Sequence, residues 1–205
     1  MMKVLLINGS PHKNRCTHTA LSEVAKALNN NNIESEIIHI GMKAIQGCID
    51  CGKCCETRKC YFDDEVYNNL LIKIKESEGI VVGSPVYYAG PNGSLCALLD
   101  RLFHSASYLL TNKPAAAVVS CRRGGASATF DRLNKYFTIN QMPVVSSQYW
   151  NSIHGNTVDE AKKDLEGLQI MRTLGNNMAW MMKTMKNSKF ELPKREERVD
   201  TNFIR

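Results

Sequence analysis

Two hydrophobic periods alternate along the chain. Lys3 to Asn8 is a continuous apolar run closed by Gly9-Ser10-Pro11, the form of a strand buried on both faces that meets a loop at its carboxyl end. Leu21, Val24, Ala25 and Leu28 then recur at helical spacing. Ile33 to Ile40 alternates apolar and polar residues, which predicts a second strand at the edge of a sheet. Asp63, Asp64 and Glu65 stand ahead of a helical face made by Val66, Leu70 and Ile74, where the helix dipole favours acids. Gly79 to Pro85 predicts the third strand, and Leu95, Leu98, Leu99, Leu102 and Phe103 the next helix. Ala115 to Ser120 predicts a fourth strand, Phe130, Leu133 and Phe137 a helix, and Met142 to Ser146 a fifth strand. Thr157-x-x-Glu160 is a capping box predicted to open one long final helix through Leu165, Leu168, Met178 and Met182.

Strands separated by helices in this order predict an α/β fold with a parallel sheet covered on both faces. No repeat, low-complexity tract or linker divides residues 1–205, so one domain is expected. Two stretches stand outside the alternation: a cysteine-rich insertion at about 43–62 and a basic tail at about 186–205.

Charge and composition narrow the partners. The net charge is +6, of which Lys183 to Arg205 contributes +3 with seven basic and four acidic residues. That tail has only Phe190 and Phe203 as aromatics, so a solvated or subunit-wrapping role is expected and nucleic acid is not. The surplus charge suits a phosphate-bearing cofactor or substrate. No apolar stretch of about 18 residues and no leader pattern is evident, so a cytoplasmic protein with no membrane partner is expected. Eight cysteines in such a chain read as reduced thiols rather than a disulfide framework.

Cys48, Cys51, Cys54 and Cys60 form C-x2-C-x2-C-x5-C. Thiolates packed this densely would pair with one another only under strain, whereas a turn-rich loop can wrap them around one soft metal centre. Structural zinc sites separate two knuckles by a longer spacer, and three cysteines at this interval are similar to the bacterial ferredoxin run. That run has its fourth cysteine three residues on, followed by proline; here five residues intervene and Tyr61 follows. A [4Fe-4S] cluster, a zinc ion and free or redox-active thiols are the three readings the spacing allows.

Three loops at the predicted carboxyl ends of strands carry further chemistry, at the place where open parallel sheets bind ligands. In Gly9 to Thr19 the hydroxyls of Ser10 and Thr17 and the free N–H groups of the following helix suit a phosphate, with Lys13 and Arg15 adding charge. The loop is neither a Rossmann fingerprint nor a Walker loop. In Gly83 to Gly90, Pro85 stiffens a turn while Tyr87 and Tyr88 either meet a flat heteroaromatic ring or cover the sheet end. In Ser120 to Gly125 the glycines permit close approach to a ligand, and Arg122 or Arg123 can offset its negative charge.

Taken together, Gly9-Ser-Pro with Thr17, the cysteine motif ahead of Asp63-Asp64, Gly83-Ser-Pro-Val-Tyr87, Asp100-Arg101, Arg122-Arg-Gly-Gly125 and Gln148-Tyr-Trp-Asn-Ser-Ile-His-Gly155 carry a resemblance. The chain resembles the flavodoxin-like NAD(P)H-dependent FMN reductases and, within them, the iron-sulfur flavoproteins. The resemblance covers nearly the whole chain. It implies a three-layer α/β/α sandwich with a five-stranded parallel sheet in the order 2-1-3-4-5. It implies FMN, with its phosphate on Ser10, His12, Lys13, Cys16, Thr17 and His18. The ring would lie between Pro85, Val86, Tyr87, Tyr88 and Gly90 on one side and Cys121, Arg122, Arg123, Gly124 and Gly125 on the other. His12, Arg15 and Cys16 stand where relatives often have Arg, Gly and Asn, so backbone N–H groups carry more of the phosphate reading.

NAD(P)H or a ferredoxin-like protein is the implied donor, a quinone or free flavin the implied type of acceptor, and a homodimer or homotetramer the implied assembly. Because the flavin carries the chemistry, no catalytic side chain is expected. Tyr149, Trp150, Asn151 and His154 are expected to follow the last strand, where they either shape an acceptor pocket or fill the core. His39, His104 and the methionines Met178, Met181, Met182 and Met185 read as structural, Cys96 as core, Cys55 as a spare thiol, and Cys121 as a thiol near the ring. Two other functions are consistent with the residues: an electron-transfer carrier that uses FMN and a [4Fe-4S] cluster on Cys48, Cys51, Cys54 and Cys60, and a zinc-stabilised binding module without enzymatic activity.

Overall fold

A strand buried on both faces must send alternate side chains into two separate cores, and β1 (Lys3–Asn8) does so. Val4 and Leu6 enter one cluster with α1 (Cys16–Asn30) and α7 (Leu165–Lys186), while Leu5 and Ile7 enter another with α3 (Glu65–Glu76), α4 (Gly93–Ser105) and α5 (Ala126–Ile139). This gives the three layers of a flavodoxin-like fold. The computed structural model describes residues 2–194, 196, 197, 199 and 201.

The sheet runs β2-β1-β3-β5-β6, with β2 (Glu34–His39), β3 (Gly79–Tyr87), β5 (Ala115–Cys121) and β6 (Ser152–His154) all parallel to their neighbours. Off this path, β4 (Gly90–Pro91) folds back antiparallel on the end of β3. Leaving that hairpin aside, the observed order corresponds to the expected 2-1-3-4-5. The chain leaves β1 for β2 on one side and returns to β3 on the other, so the order reverses between β1 and β3. β2 lies at the edge, which explains its half-polar pattern.

Helix α7 lies across α1 at Gly175. A Cβ there would stand 2.6 Å from the Ala27 Cβ and 2.8 Å from the Val24 carbonyl oxygen, so the crossing requires a residue without a side chain.

Two predicted elements are corrected. Met142–Ser146 is not the fifth strand: it meets the sheet only at an isolated Ala115↔Val144 bridge, held by Ala115 N to Pro143 O at 2.9 Å and Val145 N to Ala115 O at 2.8 Å. Pro143 has no N–H to donate, and the chain then leaves the sheet over 146–150. It returns at buried Asn151, whose carbonyl accepts from Val119 N and whose Nδ2 donates to Ala117 O (3.0 Å), and only then forms β6. The final helix is also two helices. The capping box of Thr157 and Glu160 opens α6 (Val158–Lys163), which stops at Asp164. With ψ of 80°, Asp164 breaks the first helix and caps α7 by accepting from Gly167 N at 2.9 Å. The basic tail expected over 186–205 falls partly outside the described residues; its described part after α7 is exposed.

Candidate functional site

Three loops converge at the carboxyl ends of β1, β3 and β5, beside the reversal of strand order. The first is tied from within. Asn8 is wholly buried; its Oδ1 accepts from Ser10 N (3.1 Å) and its Nδ2 donates to Lys13 O (3.0 Å). Ser10 Oγ accepts from His12 N, Ser10 O meets His39 Nε2 at 2.7 Å, and Asn92 Nδ2 donates to Gly9 O at 2.8 Å. The buried Thr17 hydroxyl pairs with Ser120 Oγ at 2.7 Å, and the Cys16 thiol donates to the carbonyls of Gly155 and Thr157. Burial raises the Cys16 pKa. His18 is half-buried, touches Ser22 Oγ, and is held below its ordinary pKa by burial and then by His39 and Lys13. His12, Lys13 and Arg15 are exposed.

What remains available in this loop is backbone. The first intrahelical bond of α1 is Thr19 N to Arg15 O, and Arg15 provides no side-chain cap. The N–H groups of Cys16, Thr17 and His18 therefore have no protein acceptor among the described residues. The same holds at α5, where the first bond is Thr129 N to Gly125 O and Gly125 has no side chain to cap with. The other helices of eight or more residues are capped by Asp64 (α3), Asn92 (α4) and Asp164 (α7). Among the described helices of eight or more residues, uncapped N-termini thus fall on the two that follow β1 and β5, the arrangement that favours an anion.

The second loop is the β3–β4 hairpin. Tyr88 and Ala89 both have left-handed backbones (φ 49° and 59°), which makes a type I′ turn from residues that ordinarily avoid it. Tyr88 is completely exposed and Tyr87 43% exposed. The third loop meets this hairpin at Gly125. Gly125 has φ +88°, and a Cβ there would lie 2.7 Å from the Ala89 Cα and 2.8 Å from the Val86 Cγ1. Pro85, Val86 and Gly90 are half-buried, Arg122, Arg123 and Gly124 are exposed, and Cys121 is buried with its pKa raised by burial and then by Asp164. Exposed Tyr87, Tyr88 and Gly124 border the contact at Gly125.

Tyr149 and Trp150 precede β6 rather than follow the last strand. They are more than half exposed and pack against each other at a tilt of 56° with centroids 5.0 Å apart, so they are not core. The His154 backbone N–H donates to Asp164 Oδ2 at 2.6 Å, and its half-exposed ring stands with Nδ1 3.6 Å from the same oxygen.

The cysteine insertion forms a second site. Cys48, Cys51, Cys54 and Cys60 line one pocket, with Arg101, His104 and Ser105 of α4 at its floor. The chain turns around it through left-handed Asp50, Gly52 and Arg58, which bracket the short helix α2 (Lys53–Thr57). Burial raises the Cys54 thiol pKa, and the neighbouring Cys55, Cys48 and Cys51 sulfurs raise it further. Arg101 is the feature the sequence reading left without a site role. Its side chain is fully buried and donates to Cys60 Sγ (3.3 Å), Gln46 O (3.2 Å), Phe62 O (2.9 Å) and Asp64 Oδ2 (2.5 Å). Burial pulls its pKa down, but the bonds to Cys60 and Asp64 outweigh that and leave it raised. Tyr67 completes the support: its hydroxyl accepts from Cys60 N at 2.9 Å and meets Ser105 Oγ at 2.7 Å. The signal was present in the sequence, because Arg101 is a cation on an otherwise apolar helix stripe with Leu98, Leu102 and Phe103. Cys96, expected as core, is only half-buried.

The donor set of this pocket, four thiols beside one buried guanidinium, fits a soft anionic centre such as an iron-sulfur cluster. The flavin end fits FMN in the same sense: uncapped N–H groups for the phosphate, and exposed planar side chains for the ring.

Residues 2–157 match the family described as NADPH-dependent FMN reductase, and the chain belongs to it. An iron-sulfur flavoprotein of Methanocaldococcus jannaschii is 35% identical over 193 residues, covering 90% of this chain and all of that one. Another, from Methanosarcina thermophila, is 28% identical over 82% of this chain and 88% of its own. Among solved structures, RosB with a bound flavin intermediate, 8-demethyl-8-formylriboflavin-5′-phosphate, superposes with a TM-score of 0.74 at 15% identity, over 98% of this chain and 92% of that one. An archaeal flavodoxin superposes with a TM-score of 0.60 at 16% identity, over 89% and 99%. Both structural likenesses bear on the fold. No helix among the described residues is long and apolar enough to cross a membrane.

Proposed function

We propose that the protein binds FMN at the carboxyl edge of its sheet and uses it to carry electrons from NAD(P)H, or from a ferredoxin-like donor, to a small acceptor such as a quinone or free flavin. The observation that carries this reading is the pair of uncapped helix N-termini, α1 and α5, on either side of the strand-order reversal. Bound FMN supplies hydride acceptance and one- or two-electron transfer. The chain's own part is binding and orientation. The N–H groups of Cys16, Thr17 and His18 hold the phosphate, with Lys13 and Arg15 nearby to offset charge. The N-terminus of α5 and Arg122 or Arg123 favour negative charge near the ring. The rigid Tyr88–Ala89 turn presents Tyr87 and Tyr88 to one side of it. Titration with FMN should quench flavin fluorescence at one equivalent, and the loaded protein should oxidise NADH or NADPH. Absence of FMN uptake would sink the reading.

A second reading follows from the cysteine pocket: a [4Fe-4S] cluster on Cys48, Cys51, Cys54 and Cys60 that exchanges single electrons with the flavin. Its support is that all four cysteines line one pocket with buried Arg101 donating to Cys60 Sγ. Anaerobic iron and sulfide analysis tests it, with Cys51→Ser expected to lose the cluster and keep FMN. Stoichiometric zinc without flavin would point instead to a binding module. A homodimer or homotetramer is proposed as well, because exposed Tyr88 at the flavin end and the exposed Tyr149 and Trp150 pair ahead of β6 are large apolar surfaces that suit subunit contacts. Light scattering with and without FMN tests it.

A further inference from the structure

Two residues that the cluster reading does not use stand beside one that it does. Cys55, taken from sequence as a spare thiol, and His104, taken as structural, lie with Cys54 so that their Sγ, imidazole nitrogen and Sγ atoms are all within 4.8 Å of one another. Cys54 and Cys55 sit on α2 and His104 in the last turn of α4. Cys55 and His104 are exposed, and both face an open groove that also touches Asp50, Arg58 and Tyr108. The pocket and the groove share Cys48, Cys54 and His104, while Cys51 and Cys60 line only the pocket and Cys55 only the groove; the four-cysteine set and the Cys54, Cys55 and His104 set therefore have the Cys54 thiol in common.

We propose that Cys54, Cys55 and His104 form a separate site for a single divalent ion of borderline softness, such as zinc. Two thiolates and an imidazole are the donor types such ions prefer, and metal–sulfur and metal–nitrogen distances of about 2.3 and 2.0 Å place three donors around one ion within this spacing after small rotamer adjustments. Binding is a ligand exchange: the ion sheds water, Cys54 and Cys55 each release a proton to solvent, and neutral His104 donates its lone pair. Only three protein donors are supplied, so the fourth position faces the groove and takes water, as in open zinc sites. That makes the ion exchangeable. Cys54 cannot ligate in both sets at once, so an ion on the three-residue set and a cluster on the four-cysteine set exclude each other. This exclusion rests on the cluster reading above, whereas the ion site does not.

The test uses the full chain, freed of metal under anaerobic reducing conditions, with Co2+ as the spectroscopic probe. The background is Cys48→Ser/Cys51→Ser, which removes half of the four-cysteine set at two exposed positions and leaves Cys54, Cys55 and His104 intact. One equivalent of Co2+ should produce the visible bands of a tetrahedral ion and a thiolate charge-transfer band with the intensity of two sulfurs, displaced by zinc. Adding Cys55→Ser or His104→Asn, both exposed and benign to the fold, should weaken binding by at least about tenfold, the minimum expected when even groups supporting a metal ligand are removed. Equal affinity in those variants, or no tetrahedral spectrum in the background protein, overturns the site. Exclusion is tested in the unsubstituted chain: one equivalent of zinc added before iron and sulfide should lower cluster yield, and Cys55→Ser should restore it. Unchanged yield overturns the exclusion. A chain that binds cobalt as stated but assembles no cluster with or without zinc overturns the cluster reading and leaves the ion site standing.

Discussion

Arg101 holds the cysteine insertion to the rest of the molecule, and its replacement by methionine measures how strongly. The side chain is fully buried and makes four hydrogen bonds, to the Gln46 and Phe62 carbonyls, Cys60 Sγ and the Asp64 carboxylate. Methionine keeps the approximate length and loses every donor. Each carbonyl left without its partner in this part-buried setting costs up to about 1–3 kcal/mol. The Asp64 carboxylate is 42% exposed and is rehydrated, so it adds little. Against this, the guanidinium no longer has to be desolvated, which returns part of the cost. The net expectation is a loss of roughly 2–4 kcal/mol, and at this chain length about 2–4 °C of melting temperature per kcal/mol, hence a drop of roughly 4–16 °C. The assay is thermal unfolding of the metal-free, flavin-free chain under reducing conditions, paired with limited proteolysis across 43–62. Asp64→Asn is the control: asparagine still caps α3 by accepting from Tyr67 N, so the variant should lose less than Arg101→Met. A melting temperature for Arg101→Met within about 2 °C of the parent, with no added cleavage, would refute the reasoning, since it corresponds to under about 1 kcal/mol.

Other outcomes follow from the same structure. Gly125→Ala should destabilise the chain by about 1–3 kcal/mol, because the backbone is left-handed there and the new methyl meets Ala89 and Val86; thermal melts and FMN titration should register both lower stability and weaker flavin binding. Replacing Tyr88-Ala89 by Asn-Gly, the pair a type I′ turn favours, should raise the melting temperature while lowering flavin-dependent NAD(P)H oxidation, since it relieves the backbone and removes an aromatic face. Glu36 is held below the ordinary carboxylate range, first by its hydrogen bond from Lys3 (2.6 Å) and also by Lys73 (3.1 Å). A carboxylate depressed on folding contributes stability above its unfolded value of about 4.3 and loses it as pH falls through the lower folded value, so Glu36→Gln should flatten the decline of melting temperature below about pH 4.5.

Much of this architecture was legible in the residues because the two periods, two for strands and 3.6 for helices, act locally. The centres of β1, β3 and β5, residues 4–7, 80–82 and 115–119, are apolar throughout because both faces of these strands are buried there. The fifth strand was misplaced for a reason that local pattern cannot express. Met142–Ser146 has strand composition, but Pro143 interrupts the ladder, and the pairing moves to Ser152–His154 through a buried Asn151 whose side chain stands in for backbone. Asp164 misled in the same way, since only its contact with Gly167 N and His154 N reveals it as a cap and not a helix interior.

The loops that carry the site were visible as Gly-Ser-Pro and Arg-Arg-Gly-Gly strings. The division of labour inside them was not. Ser10, Cys16 and Thr17 look from sequence like groups offered to a phosphate, yet their polar atoms engage His12 N, the Gly155 and Thr157 carbonyls and Ser120. The three-dimensional structure moves the emphasis to backbone N–H groups, which no residue identity discloses. Arg101 was hidden differently: its partners are 37 to 55 positions away in sequence and come together only when the insertion folds over α4.

Amide hydrogen exchange with and without FMN tests the central claim most directly. The account predicts that saturating FMN slows exchange at residues 10–18, at the 85–90 hairpin and at 121–126, with 43–62 unchanged in the metal-free chain. Protection confined to the cysteine insertion, or no protection at the α1 and α5 N-termini, would contradict it.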